Sequence, residues 1–437
     1  MRKVLLVVYA WPPAGGPGVQ RCLKFVKYLL KFDWEPLILT VENAETSAED
    51  PTLLGQVPEG LKICRTRSIE PFGLYKRVTG RKQDERLPTG LLQEFSRPSW
   101  KETLARWVRA NCFIPDAKIG WLPFGISKGK RLLDSENIDL IFSSGPPHST
   151  HLIARVLAEL SGLPWVVDFR DPWVDIDYYH FTKRSKLSTC VDQTLEKSCL
   201  QRASAITTVC QGLVSLLNAK TRGSKTHLLP NGYDSSDIPK RSSRPSNRSL
   251  CIFYGGTLGV DRIPYALISA LEDLRKETAG CLFKLQVAGN SCSEFENLLV
   301  SKNLEDYWVE LGYLPHSQAL QKLIDADISL LTINRVPGNQ RIVTGKIFEY
   351  MAAGNPILGI GPTDGDAARL LIETGSGRMF DYDDSAGILR FLREASEDYD
   401  SFRKSFRFDC ENYSREHLTG QLAKIFDHLT TKKPQLF

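Results

Sequence analysis

The sequence has no Cys-x-x-Cys pair, no apolar run approaching the thickness of a bilayer, and no short-period repeat. Its ten cysteines fall at irregular spacings, several inside apolar runs, which argues against a zinc ribbon or a redox dithiol and for reduced, buried thiols in a cytosolic protein. The apolar stretch Val4 to Trp11 is far short of the roughly 18 to 20 residues that cross a membrane. Met1-Arg2-Lys3 and the apolar residues after it have the outline of a short leader. Trp11-Pro12-Pro13 then stands where a small-residue cleavage site belongs, so the segment reads as a first β-strand. No Gly-x-Gly-x-x-Gly is paired with an acidic residue closing the next strand, and no glycine loop ends in Gly-Lys-Ser/Thr. A nicotinamide enzyme and a Walker-type nucleotide hydrolase are therefore disfavoured.

With 437 residues, 42% hydrophobic and 24% charged, the chain is an ordinary globular protein of two domains or more. Its net charge of +5 is unevenly spread: from Tyr75 to Arg131 thirteen Lys/Arg meet five Asp/Glu, a net of +8, which leaves −3 elsewhere.

The opening reads as strand, loop and helix. Val4 to Tyr9 is apolar and β-branched, Pro12 to Gly18 holds three glycines and three prolines, and apolar residues recur at Val19, Leu23, Val26 and Leu30. Strand patterns return at Pro36 to Val41, Ile138 to Phe142, Trp165 to Asp168 and Ala205 to Val209, with helical patterns through His151 to Leu160 and near Leu187 to Leu200. Residues 238–249 are polar and rich in breakers, as in a linker. The alternation restarts at Leu250 to Tyr254 and runs to the strand Pro356 to Ile360, and Leu418, Leu422, Ile425, Phe426 and Leu429 mark a closing amphipathic helix. This predicts an α/β protein of two doubly wound, parallel-sheet domains. The first spans 1–237 and, after the 238–249 linker, the second spans 250–398; a helical segment, 399–437, crosses back to the first.

Ligands of such sheets bind outside the carboxyl ends of the strands, so the loops there carry the candidates. Ala14-Gly15-Gly16-Pro17-Gly18 either lets a ligand approach the backbone or simply makes a tight turn. Tyr254-Gly255-Gly256-Thr257-Leu258-Gly259, followed by Arg262, can cradle a diphosphate. Asp168-Phe169-Arg170-Asp171-Pro172-Trp173 suits a sugar hydroxyl or phosphate, or else an internal Asp–Arg pair bracing the turn. His148 and His151 lie three apart with no third ligand nearby, so no metal site is expected, and the Asp175-Ile176-Asp177 triplet is too common to count.

The most specific stretch is Thr344-Gly345-Lys346-Ile347-Phe348-Glu349-Tyr350-Met351-Ala352-Ala353-Gly354-Asn355-Pro356. With Tyr9-Ala10-Trp11-Pro12-Pro13-Ala14-Gly15-Gly16 and Leu229-Pro230-Asn231-Gly232-Tyr233-Asp234, it resembles the GT-B glycosyltransferases of the family-4 type. Ile114-Pro115-Asp116 through Gly120-Trp121, and Asp168 to Trp173, are similar to segments of one sub-branch. The resemblance implies two Rossmann-like domains facing a central cleft, the C-terminal one binding a nucleoside-diphosphate sugar of UDP or GDP type. It implies that Glu349 grips ribose, that Thr344, Gly345 and Lys346 meet the donor phosphates, and that Gly256, Thr257 and Arg262 form the phosphate-side loop. Tyr313 and Leu314 would face the base, and Gly15 and Gly16 would lie across the cleft from the diphosphate. Two arginines depart from the family pattern: Arg341 stands eight residues before Glu349 in place of a glutamate, and Arg170 follows Phe169 where many members have histidine. Both read as extra phosphate clamps. The catalytic set predicted is Arg170, Asp171 and Lys346.

The implied activity is sugar transfer to a glycan or lipid-linked glycan, retaining and metal-independent, with no tightly bound cofactor. A GT-B nucleotide-sugar epimerase and a degenerate nucleotide-sugar-binding scaffold are the alternatives. In the basic segment Trp100, Leu104, Trp107 and Val108 share one helical face beside Lys101, Arg106 and Arg109, just after Leu91, Leu92 and Phe95. That pattern fits a helix on an anionic membrane surface, at the inner face of the membrane, or a core helix with a basic rim. No stacking or groove-reading module accompanies the charge, so nucleic acid is not an expected partner.

Overall fold

The computed structural model describes residues 1–44, 49–69, 100–176, 184–221, 225–242, 249–277 and 282–431. Leu91, Leu92, Phe95 and Asp177 lie outside them, as does half of the 238–249 segment, residues 243–248. The chain forms two compact units, Met1–Pro230 together with Glu416–Phe437, and Asn231–Arg415.

The first unit is built on a parallel sheet of order β3-β2-β1-β4-β5-β6-β7: β1 Arg2–Val7, β2 Trp34–Val41, β3 Lys62–Thr66, β4 Leu140–Gly145, β5 Trp165–Phe169, β6 Ala205–Thr208 and β7 Thr226–Leu228. The second carries β10-β9-β8-β11-β12-β13, also parallel: β8 Leu250–Gly255, β9 Phe283–Ala288, β10 Trp308–Glu310, β11 Ile328–Thr332, β12 Ile357–Ile360 and β13 Gly377–Phe380. In each sheet the strand order reverses beside the first strand of the unit, which places the switch points at β1/β4 and β8/β11.

Near-continuous apolar strands arise because both sheet faces are covered. Along β8, Leu250, Ile252 and Tyr254 enter one core with helices Tyr265–Glu277 and Ser385–Glu397. Cys251 and Phe253 point the other way, into a core with helices His316–Asp325, Lys346–Ala353 and Asp366–Thr374. The two-residue period of the strand thus feeds two layers of helices.

Helix Pro17–Leu29 starts with proline in its first turn, after Gly16 at φ 102°, and buries Val19, Leu23, Phe25 and Val26. The closing helix, Arg415–Thr431, packs Leu418, Leu422, Ala423 and Phe426 into the same core of the first unit. Trp34 meets Phe426 edge-on at 5.2 Å and donates its indole N–H to Asp427 at 2.9 Å.

Three strands carried no readable signal, β3, β7 and β13, and each lies at a sheet edge. Half-exposed edges break the apolar run; Lys62, Arg65 and Thr66 interrupt β3. Helix Leu122–Ser135 was also hidden, because Gly125 and Gly129 dilute its pattern. Those glycines allow close packing: a Cβ would stand 2.7 Å from Ile153 at the first and 2.4 Å from Leu157 at the second.

Candidate functional site

In the first unit the carboxyl ends of β4 and β5 are held by a buried ion pair. Arg21, on helix Pro17–Leu29, meets Asp168 at 2.8 Å and 3.0 Å, both side chains fully buried. Ser144 and Thr207 donate to the same carboxylate at 2.7 and 2.8 Å, and Arg21 also donates to the Leu229 and Pro230 carbonyls. Burial alone would raise the Asp168 carboxyl; Arg21 and the two hydroxyls outweigh it and hold it below its ordinary range. Asp168 therefore braces the turn through Arg21, a residue that no motif had singled out.

Arg170 is drawn to the same turn. Its Nε donates to Gly145 O at 3.2 Å and its Nη2 to Pro146 O. A Cβ on Gly18 would stand 1.4 Å from its Nη1, so the bare backbone of the glycine loop is what admits the guanidinium. Asp171 is exposed beside it. Gly16 has open space where a side chain would be, and Gly15 packs against Asp50.

Below this turn lies an aromatic cluster. His148 stacks on Trp173 at 4.5 Å, and Phe169 lies 4.9 Å from His151. Ser143 accepts from Trp165 Nε1 at 2.9 Å and shares a hydrogen bond with His151 Nδ1, also at 2.9 Å. Desolvation holds both histidines neutral, pushing His151 down to about 3 and His148 well below 6.5. Asp116 accepts from the Ser149 N–H and hydroxyl at 2.9 and 2.8 Å, capping helix Ser149–Ser161 from a distance. Among the described residues no group of three or more His, Cys, Asp or Glu could hold a metal ion.

The second unit gathers a different set. Gly256, at φ 113°, leaves room for Lys346: a Cβ there would stand 2.7 Å from Nζ. The Lys346 ammonium lies 4.4 Å over the Tyr254 ring and donates to its hydroxyl at 3.4 Å. Gly289 lets the loop pass, since a Cβ on it would fall 2.4 Å from Gly256 O. Tyr350 accepts the Gly255 N–H at 3.0 Å, and the Thr257 carbonyl accepts from Tyr254 at 3.1 Å. Helix Lys346–Ala353 opens at Gly345, which has open space beside it, and the buried Thr344 hydroxyl just before it has no hydrogen-bond partner. One turn on stands Glu349, its Oε1 3.8 Å from His316 Nε2. Desolvation pushes the Glu349 carboxyl above its ordinary range, opposed in part by His316, Arg415 and Lys346.

The other predicted residues are more scattered. Arg262 donates to Asn334 at 2.8 Å, which turns the end of its loop toward the segment after β11. Arg341 ends the short helix Asn339–Arg341 in that segment. Tyr313 is 79% exposed, whereas Leu314 packs against the core. Tyr254, Tyr350, His316 and Asn334 were not foreseen; the first two lie in apolar runs that read as core.

Residues 86–232 match the family described as the glycosyl transferase 4-like domain. No curated protein sequence matches the chain. Among solved structures it is similar to sucrose-phosphate synthase from Thermosynechococcus elongatus, at 13% identity and TM-score 0.64, covering 99% of this chain and 100% of that one. HepE of Anabaena, solved in complex with UDP, matches at 14% identity and TM-score 0.64 over 98% and 100%. A putative UDP-N-acetylglucosamine 2-epimerase from Listeria monocytogenes matches at 10% identity and TM-score 0.54 over 99% and 97%. Two parallel α/β units with these neighbours show that the chain has the GT-B fold, and residues 86–232 within it match a glycosyl transferase 4-like domain.

Proposed function

We propose that the protein moves a sugar from a UDP-type nucleoside-diphosphate donor to a glycan or lipid-linked glycan. The observation that carries this reading is the convergence of Lys346, the Gly256 loop and the N-terminus of helix Lys346–Ala353 one turn before Glu349. As the glycosidic bond of the donor breaks, charge grows on the leaving diphosphate, and preorganised cations and N–H dipoles stabilise it. Lys346 supplies the cation, the Gly345 end of the helix supplies the dipole, and the unpartnered Thr344 hydroxyl supplies a further donor. Glu349 takes the ribose, Arg262 and Arg341 stand as outer phosphate contacts, and Tyr313 offers an exposed ring to the base. The complexes of HepE with UDP and UDP-glucose favour uridine. In this reading Lys346 and the helix carry the charge that a divalent ion would otherwise carry, and transfer proceeds with retention.

On the first unit Arg170 and Asp171 are assigned to the acceptor side, Arg170 fixing the glycine loop and Asp171 free to meet a sugar hydroxyl. Helix Trp100–Cys112 exposes Leu104 and Trp107 three residues apart, at 52% and 47%, with Arg109 exposed beside them. Apolar side chains among cations suit an anionic bilayer surface, where a lipid-linked acceptor would be met and where a peripheral cytoplasmic enzyme would dock. No helix among the described residues is long and apolar enough to cross a membrane.

The test is product analysis with UDP-sugars and a panel of lipid-linked and free glycans. Transfer to an acceptor, lost in Lys346→Ala, supports the reading. Isomerised UDP-sugar formed without any acceptor supports an epimerase instead, and nucleotide binding without turnover supports a scaffold.

A further inference from the structure

Two partly open polar groups in the second unit face each other at a distance that neither closes. His316 begins helix His316–Asp325, just after the loop that carries Tyr313, and Glu349 lies on helix Lys346–Ala353. Their side chains are 31% and 32% exposed, and Nε2 stands 3.8 Å from Oε1. That gap is too long for a hydrogen bond, yet an oxygen placed about 2.8 Å from each atom would bridge it.

The chemistry of the two atoms restricts the bridging group. An ionised carboxylate only accepts, so the ligand must donate to Glu349. An imidazole N–H at Nε2 donates, so the same ligand atom must also accept. A hydroxyl does both, as water or a neutral amine would; an ammonium or a carbonyl does only one. The second carboxylate oxygen of Glu349 remains for a neighbouring hydroxyl, so the pair together matches a vicinal diol. The desolvation already suffered by Glu349 makes such a donor welcome, because an unpaired, partly buried carboxylate is costly.

We propose that His316 is a specificity-determining residue that, with Glu349, clamps one hydroxyl of the donor's ribose diol and so selects ribonucleotides over deoxyribonucleotides. This rests on the assignment of Glu349 to ribose made above and adds a second residue to that contact. It also accounts for the position of His316 next to Tyr313: the ribose lies between base and diphosphate, so its contacts fall between the groups that hold those two.

Calorimetric titrations with UDP, 2′-deoxy-UDP and 3′-deoxy-UDP test it in the full-length wild type, Glu349→Ala, His316→Ala and His316→Gln. Wild type is expected to bind one of the two deoxy analogues about tenfold more weakly than UDP, the loss that follows from leaving partly buried polar partners unpaired. In His316→Ala, UDP binding weakens toward the level of that analogue, the analogue's own affinity stays unchanged, and the discrimination shrinks to the part that Glu349 supplies. His316→Gln, which keeps a side-chain N–H, restores part of it. If Glu349→Ala removes ribose discrimination while His316→Ala keeps the wild-type ratio, the clamp is wrong and the ribose assignment stands. If wild type binds no UDP, or binds UDP and both analogues alike, the ribose assignment itself falls, and the clamp with it.

Discussion

The Lys346 ammonium stands 2.7 Å from where a Cβ on Gly256 would be, so the glycine and the lysine share one space. Any side chain at Gly256 must push the amine away, and the backbone at φ 113° adds strain of roughly 1–2 kcal/mol for a non-glycine residue. Gly256→Ala should therefore lower both thermal stability and UDP affinity. Lys346→Ala should leave stability within about 0.5 kcal/mol while reducing kcat more than donor KM, because its charge matters most when the diphosphate departs. Denaturant melts and steady-state kinetics on the two variants separate the effects; a Lys346→Ala enzyme with unchanged kcat contradicts the assignment.

Asp168→Asn leaves Arg21 as an uncompensated charge in a fully buried position. Removal of one partner from such a pair costs about 3–5 kcal/mol. Urea unfolding should show a loss of that order, and a loss under about 1 kcal/mol would mean that the pair does not brace the turn.

Acid should destabilise the protein through His148 and His151. Both are neutral when folded and take up protons near 6.5 when unfolded, so the unfolded chain binds more protons below that pH. The stability present above pH 6.5 is lost as pH falls, and for His151 the loss continues toward about 3. His148→Phe keeps a flat ring against Trp173 and removes one proton from the balance. Its Tm should fall less steeply than that of wild type between pH 6.5 and 4.5; parallel curves would contradict the account.

Leu104 and Trp107 carry the membrane proposal. Sedimentation with vesicles containing about 30% phosphatidylserine should pull down the wild-type protein, and less of it at high salt. Leu104→Glu with Trp107→Glu should abolish binding without changing Tm, since both side chains are exposed. Equal sedimentation of the double variant would remove this face from the proposal.

The buried strands were legible because parallel sheets make apolar runs: Val4 to Val7 and Trp165 to Phe169 stand out at sight. The edge strands β3, β7 and β13 were not, and helix Leu122–Ser135 was masked by the glycines that let it pack closely on its neighbour. In the loop proposed to hold the donor, the glycines were visible in the sequence because local backbone geometry dictates residue type, as at Gly256 with φ 113°. Arg21, Tyr254 and His316 were not, since each gains its role from a partner far away in sequence: Asp168, Lys346 and Glu349. Nothing in the linear sequence separates such residues from ordinary core or surface.

Helix Lys346–Ala353 and the Gly256 loop are proposed to hold a nucleoside diphosphate. The most direct measurement is the shift in Tm of wild type and Glu349→Ala on adding UDP, GDP, ADP, CDP or dTDP, with and without Mg²⁺, because a ligand of the native state alone stabilises it by RT ln(1 + [L]/Kd). The account predicts a shift with UDP above the others, present without Mg²⁺ and lost in Glu349→Ala. No shift with any of the five, or a UDP shift that survives in Glu349→Ala, contradicts it.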